Sequence, residues 1–431
     1  MERRVIADLG DWDDMRSAFR WRIPPSFNLG AACCDDWARI DPGRLAIRHE
    51  DENGRSEDWT FGRLQETSDR LASAMRARGV KAGDRVAVVM PQHPAVIVTH
   101  LAAWKLGAIS LPIFALFGDD ALLFRLQDSG AKALVAMDDT VERVLALKEA
   151  LPELEVIYGL GPTPAGAFDL WADIKRAAPI VGPVETRAED PAVMIYTSGT
   201  TGPPKGVLHA HRFLFGHLPA VELCYNGFPK QGDMGWTPAD WAWIGGLMDM
   251  AVPCLYYGVP QISRRFRKFD PEVAIDLIRR HGVRNLFLPP TALKLMRAAG
   301  VGGDLGIRSI GSGGESLGAD LLDWGRDALG VTINEFYGQT ECNLVTSGSS
   351  MVLPVKPGTI GRAVPGHEVA ILGSDGEPLP AGEMGEISVR APDPAMFLGY
   401  WRQPEKTAAK FRGDWMGTGD LGTMDDAGYI T

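Results

Sequence analysis

With 431 residues, 45% hydrophobic and 23% charged, the chain has the composition of a globular protein but is too long for one core, so about two to four units are expected. Its 44 basic and 55 acidic residues leave a net charge of −11, which argues against a nucleic-acid partner, since that would need a basic field to displace counterions. The five cysteines are odd in number and lack a C-x-x-C pair, so neither a zinc site nor a disulfide framework is expected. The charged N-terminus carries no signal-peptide core, and a reducing cytoplasm fits.

In chain order, residues 60–78 place apolar side chains at helical spacing, with Gly79 or Gly83 to end the helix. Between Arg85 and Asp119 the only formal charge is Lys105. Pro91 and Pro94 interrupt this stretch, as does Gly107, so no membrane span is expected. The pieces predict a strand at 86–90, a helix at 95–106 and a strand at 108–112, a buried β-α-β unit.

A short apolar run, 192–196, enters Thr197-Ser198-Gly199-Thr200-Thr201-Gly202-Pro203-Pro204-Lys205-Gly206. Small residues here allow close backbone approach and present amides and hydroxyls to phosphate oxygens, with Lys205 as a mobile cation. Two prolines before Lys205 separate it from a Walker A loop. His209 and His211 stand two apart, too close for a helical zinc pair, and no zinc is expected. The basic run Arg264-Arg265-Phe266-Arg267-Lys268 reads as a solvated surface segment, the alternative being a site for an anion such as the phosphates of CoA.

Asp270, Pro271 and Glu272 announce a helix start, and Gly282 follows its end. Strands at 283–288, 307–310 and 331–336 alternate with helices at 291–299 and 318–329, which implies parallel pairing. The Thr/Gly loop, Pro289-Pro290-Thr291, Gly311-Ser312-Gly313-Gly314-Glu315 and Tyr337-Gly338-Gln339-Thr340-Glu341 all follow strand C-termini. That is the edge where open α/β sheets bind ligands. Beyond residue 343, short strands at 369–372 and 386–390 with turn-rich joints predict a small, barrel-like β subdomain. The expected division is 1–190 and 191–342, two doubly wound, mostly parallel α/β subdomains, then 343–431.

The ten-residue loop 197–206, residues 337–341 and Thr418-Gly419-Asp420 together resemble the signature set of the adenylate-forming superfamily. That superfamily includes acyl- and aryl-CoA synthetases, peptide-synthetase adenylation domains and firefly luciferase. The resemblance runs from about residue 25 to the end of the chain. It implies an AMP-forming carboxylic acid–CoA ligase with ATP, Mg²⁺ and CoA. In that reading Thr197, Ser198, Thr200, Thr201 and Lys205 hold the β- and γ-phosphates, with Gly199 and Gly202 shaping the loop. Tyr337 lies against adenine, bordered by Gly314, Glu315 and Ser316, where the superfamily often has proline. Thr340 binds the α-phosphate beside Gly338 and Gln339, Glu341 ligates Mg²⁺, and Asp420 accepts the ribose hydroxyls. Lys205, Thr340 and Glu341 are the implied catalytic residues. Taken singly, Tyr337 also reads as a core aromatic, Glu341 as a helix N-terminal acid and Asp420 as a turn residue.

The segment from Asp240 to Gly246 resembles the one lining the acyl pocket in acetyl-CoA and medium-chain synthetases. Acetyl-CoA synthetase has tryptophan where Gly338 stands and valine where Gly313 stands. The implied pocket is therefore wider, suiting a medium-chain, branched or aromatic acid. Its candidate liners are Trp236, Trp241, Trp243, Ile244, Leu247, Phe336 and Cys342, with Gly313 and Gly338. The resemblance also places a lid domain beyond residue 431, which would leave this chain to bind ATP and adenylate with adenylation slowed. An acyl-AMP ligase serving a carrier protein, or a nucleotide-binding module without catalysis, shares these motifs. Oligomerisation is left open.

Overall fold

The computed structural model describes residues 3–7, 9–137, 139–197 and 202–431. Three sheets organise them. The first has eight strands, in the order Gly399–Tyr400, Lys205–Ala210, Pro191–Thr197, Ile109–Pro112, Arg85–Val89, Ala133–Ala136, Val156–Gly159 and Phe168–Asp169. All its pairings from Pro191–Thr197 onward are parallel, and the first two are antiparallel.

The stretch poor in charge is the β-α-β unit at the heart of this sheet. Strands Arg85–Val89 and Ile109–Pro112 pair in parallel around helix Pro94–Lys105, whose residues are all buried. Lys105 is fully buried and is neutralised by Asp35 and Asp69, each 2.6 Å from its ammonium, with Ser68 Oγ at 2.9 Å. Among the described residues no helix is long and apolar enough to cross a membrane.

The second sheet has nine strands, ordered Arg362–Ala363, Cys342–Ser347, Ile333–Gln339, Ser309–Ser312, Asn285–Phe287, Gly235–Trp236, Gln261–Ser263, Leu45–Glu50 and Ser56–Thr60. Its interior is parallel and its two ends are antiparallel. The helices follow their local signals. Asp270 accepts from the amides of Glu272 and Val273 at the head of Pro271–His281, and Gly282 closes it in the left-handed conformation. Thr60 caps Phe61–Ala77 by accepting from the Arg63 amide. The third sheet is a small, curled antiparallel one, Val369–Leu372, Gly385–Arg390, Trp415–Gly422 and Phe411–Arg412.

The sheets do not follow the contiguous division 1–190, 191–342 and 343–431. Leu45–Glu50 pairs with Gln261–Ser263, while Pro191–Thr197 joins Ile109–Pro112 and Gly399–Tyr400 caps the first sheet. Strand pairing answers to which apolar faces can be buried together, and distant segments satisfy that as well as adjacent ones. The consequence is that chain ends and middle are stitched together around the space between the sheets.

Candidate active site

The sequence from Ile333 to Ser347 folds as a hairpin whose tip carries Thr340 and Glu341. The pairing is irregular between Tyr337 and Gln339, and Gly338 sits at that irregularity. A Cβ there would stand 2.3 Å from the Leu344 nitrogen and 2.7 Å from the Asn343 Cα. Only glycine fits, because the neighbouring strand's backbone fills the space.

Gly338 borders the cleft, but its lack of a side chain answers first to this contact. Gly313 gives the same result, since its Cβ would lie 2.5 Å from a ring carbon of Phe336. The side chain that glycine omits is replaced by Phe336, which takes over as wall.

A cleft of about 1120 Å³ lies between the sheets, large for one small ligand and suited to a nucleotide plus a second molecule. Thr197 and Lys205, on either side of the Thr/Gly loop, border it, as do Pro289, Thr291, residues 313–315 and residues 338–341. Ser198, Gly199, Thr200 and Thr201 lie outside the described residues. Asp420 and Thr418 reach the same cleft from the antiparallel sheet.

Polar contacts knit this end together. The Tyr337 hydroxyl donates to Asp420 Oδ2 at 2.6 Å. Burial, then the bond to the Asp420 carboxylate, pushes the phenol's pKa up. Gln339 Nε2 donates to Thr418 O at 2.9 Å, and Thr418 Oγ1 donates to Ile387 O at 2.7 Å, pinning the hairpin to the small sheet. Gly419 has φ of 86° and donates its amide to Glu386 Oε1, which sets the turn that presents Asp420.

Two residues here carried no motif in the sequence. Lys410 places its ammonium 3.3 Å from Gln339 Oε1, 3.0 Å from Gly417 O and 3.2 Å from Thr418 O. Tyr400 donates to Glu341 Oε1 at 2.5 Å while its ring lies 4.6 Å beneath the Lys205 ammonium, a cation–π contact. Burial and then the Glu341 carboxylate raise the Tyr400 pKa. A lone lysine and a lone tyrosine give no periodic or spacing signal, so only the fold could find them.

Other expected residues fall elsewhere. Tyr337 is not in the cleft wall, because its ring packs on the apolar core of the antiparallel sheet. Ser316 is exposed and, like Gly202, does not border the cleft. Glu315 does, with Lys294 3.8 Å from its carboxylate. Among the pocket residues, Trp243, Ile244, Gly313, Phe336 and Gly338 line the cleft. Trp236, Trp241, Leu247 and Cys342 do not: each is buried in a hydrophobic core. The aromatic wall is completed by Phe114 and Phe287, whose rings stand 6.3 Å from Trp243 and 5.5 Å from Phe336 respectively.

The basic run borders the mouth of the cleft, yet Arg264 pairs with buried Glu50 and Arg267 with Glu52 at 2.8 Å. His209 stacks on Phe213 at 3.8 Å, and His211 Nδ1 accepts from the Leu29 amide at 3.2 Å. Burial holds both imidazoles' pKa values low. Among the described residues no group of three or more His, Cys, Asp or Glu side chains is placed to hold a metal. Glu341, with one carboxylate oxygen engaged by Tyr400, still suits Mg²⁺, which takes one or two carboxylates together with substrate phosphates.

Two α/β sheets and a small antiparallel sheet meet at a cleft with Thr197, Lys205 and Thr340 at one end and apolar rings at the other, an arrangement suited to adenylate formation. The family model described as AMP-binding enzyme matches residues 34–401, and the chain belongs to that family. It is 30% identical over 425 residues to acyl-coenzyme A synthetase ACSM2, mitochondrial, of Rattus norvegicus, covering 95% of this chain and 73% of that protein. It is also 30% identical over 401 residues to acetyl-coenzyme A synthetase of Bacillus subtilis, covering 90% and 68%. The crystal structure of Brucella canis acyl-CoA synthetase superposes with a TM-score of 0.88 at 30% identity, covering 98% of this chain and 79% of that one. The chain is accordingly an enzyme of the AMP-forming acid–CoA ligase type, acting with ATP and CoA.

Proposed function

We propose that the chain activates a medium-chain, branched or aromatic carboxylic acid as its acyl-adenylate and passes the acyl group to CoA. The observation that carries this reading is the continuity of one cleft from Lys205, Thr340 and Asp420 to the rings of Phe114, Trp243, Phe287 and Phe336. Four aromatic rings offer an acyl group far more apolar surface than acetate can use, and each further CH₂ buried there is worth ~0.8 kcal/mol.

In the reaction, the acid's carboxylate attacks the α-phosphorus of ATP, pyrophosphate leaves, and the CoA thiol then displaces AMP from the mixed anhydride. Asp420 accepts the ribose hydroxyls, with Tyr337 holding its carboxylate in place. Thr340 contacts the α-phosphate, and Lys205, braced on Tyr400, meets the charge of the departing pyrophosphate. Glu341 would hold Mg²⁺, which supplies charge neutralisation on the phosphates. The buried, unpaired cysteines suit a reducing compartment such as the cytoplasm.

Acid-dependent exchange of pyrophosphate into ATP, run with acetate, hexanoate and benzoate, tests the proposal. Hexanoate or benzoate should exceed acetate by roughly tenfold or more in kcat/KM. A clear preference for acetate overturns the substrate class.

A further inference from the structure

One ionisable group borders the apolar end of the cleft without a part in the chemistry above. Asp249 lines the cleft but is only 2% exposed. It lies in Leu247–Ala251, where the helix widens to π geometry just after Ile244–Gly246. Such widened turns recur at functional sites because they re-aim a side chain that an α-helix would point elsewhere.

Its surroundings are specified by a chain of hydrogen bonds. His217 Nδ1 donates to Phe213 O at 2.8 Å, so its Nε2 is an acceptor. Asn343 Nδ2 supplies that acceptor at 2.9 Å and gives its other proton to Asp249 Oδ1 at 2.5 Å. Asn343 also lines the cleft. The network therefore uses Oδ1 and fixes the plane of the carboxyl group. Oδ2 has no hydrogen-bond partner among the described residues. It lies 3.4 Å from where a Gly245 Cβ would stand, and Gly245 borders the cleft and packs on Phe287.

One oxygen is committed to the network, and the other is left to meet whatever enters the cleft. Burial pushes the Asp249 pKa well above the ordinary carboxylate range, so with Oδ1 accepting from Asn343 the proton sits on Oδ2, ready to donate to a hydroxyl or amino group or to give way to one that donates.

We propose that Asp249 is a specificity residue that reads a hydroxyl or amino substituent on the acyl part of the substrate. The acids favoured are thus aromatic ones bearing such a substituent. This inference rests on the acid-activating reading of the cleft. Asn343 and His217 act as positioning residues, since they set the direction of Oδ2 through Oδ1.

Binding to this chain can be measured by calorimetry with AMP and with non-hydrolysable acyl-sulfamoyl adenosines. The acyl groups are benzoyl, the 2-, 3- and 4-hydroxybenzoyl isomers and the matching aminobenzoyl isomers. At least one donor-bearing isomer should bind ten- to a hundredfold tighter than benzoyl, as a hydrogen bond to an acid allows. In Asp249→Ala that advantage should vanish while AMP binds as before. Equal binding of benzoyl and every substituted isomer overturns the inference, and so does an advantage that survives in Asp249→Ala. Should the variant fail to fold, the unmutated chain's ranking decides by itself. Failure of AMP to bind the unmutated chain would instead sink the acid-activating reading, so the two failures are distinguishable.

Discussion

The hydroxyl of Tyr337 and the carboxylate of Asp420, 83 residues apart in sequence, meet at 2.6 Å. The contact joins the end of the parallel sheet's hairpin to the small antiparallel sheet. It puts a carboxylate, rather than the tyrosine ring, at the wall of the cleft.

That geometry separates the two residues' roles. Asp420→Ala should weaken AMP binding by roughly ten- to a hundredfold, the scale of a lost hydrogen bond to a charged group. Tyr337→Phe keeps the ring in its apolar bed and removes only the brace, so a loss of about fivefold or less is expected. Calorimetric titration with AMP distinguishes them, and equal losses would contradict the assigned division of labour.

Gly338→Ala is expected to damage the hairpin rather than trim the acyl pocket. Its Cβ would meet backbone atoms at 2.3 and 2.7 Å, which cannot give way as a flexible side chain would. A stability loss on the order of 1–3 kcal/mol should appear in denaturant midpoints, with weaker AMP binding and no selective loss of larger acids. Selective loss of hexanoate over acetate would restore the wider-pocket reading.

Lys105→Ala removes the cation that two aspartates share in the core. Asp35 and Asp69 would then face each other with no counterion, costing about 3–5 kcal/mol. Chemical denaturation reads this directly, and a change below about 1 kcal/mol would show the pairs to be energetically idle.

Stability should also depend on pH through Glu335. Burial lifts its pKa to about 7 from 4.5, and the single amide it accepts from, Leu317 at 3.0 Å, only partly opposes this. The folded chain therefore takes up a proton near pH 7, whereas the unfolded chain does so near 4.5. The stability this contributes is present below about 4.5 and is lost as pH rises to about 7. Glu335→Gln should flatten the fall in Tm between those pH values, with a difference of about 3 kcal/mol across the window. An unchanged slope would assign the titration to other groups.

Much of this protein was legible in one dimension, where the cause is local. The Asp270 cap, the Gly282 stop, the apolar strands and the buried crossover at Pro94–Lys105 all appear where side-chain periodicity and turn chemistry put them. The phosphate-type loop, the 337–341 string and Asp420 were readable as motifs for the same reason, since close backbone approach and charge restrict residue choice over a few neighbours. What the chain alone could not reveal is what fills a given direction in space. Trp236 and Trp241 look like pocket walls but face the core, and Gly338 and Gly313 look like vacancies but abut Asn343, Leu344 and Phe336. Tyr400, Lys410 and Asp249 gain their roles from partners 59, 71 and 94 positions away, and Asp249 also from a backbone widened by one residue. Such relationships follow from packing among distant segments, where steric exclusion and hydrogen-bond satisfaction are settled jointly, and tertiary structure alone decides them.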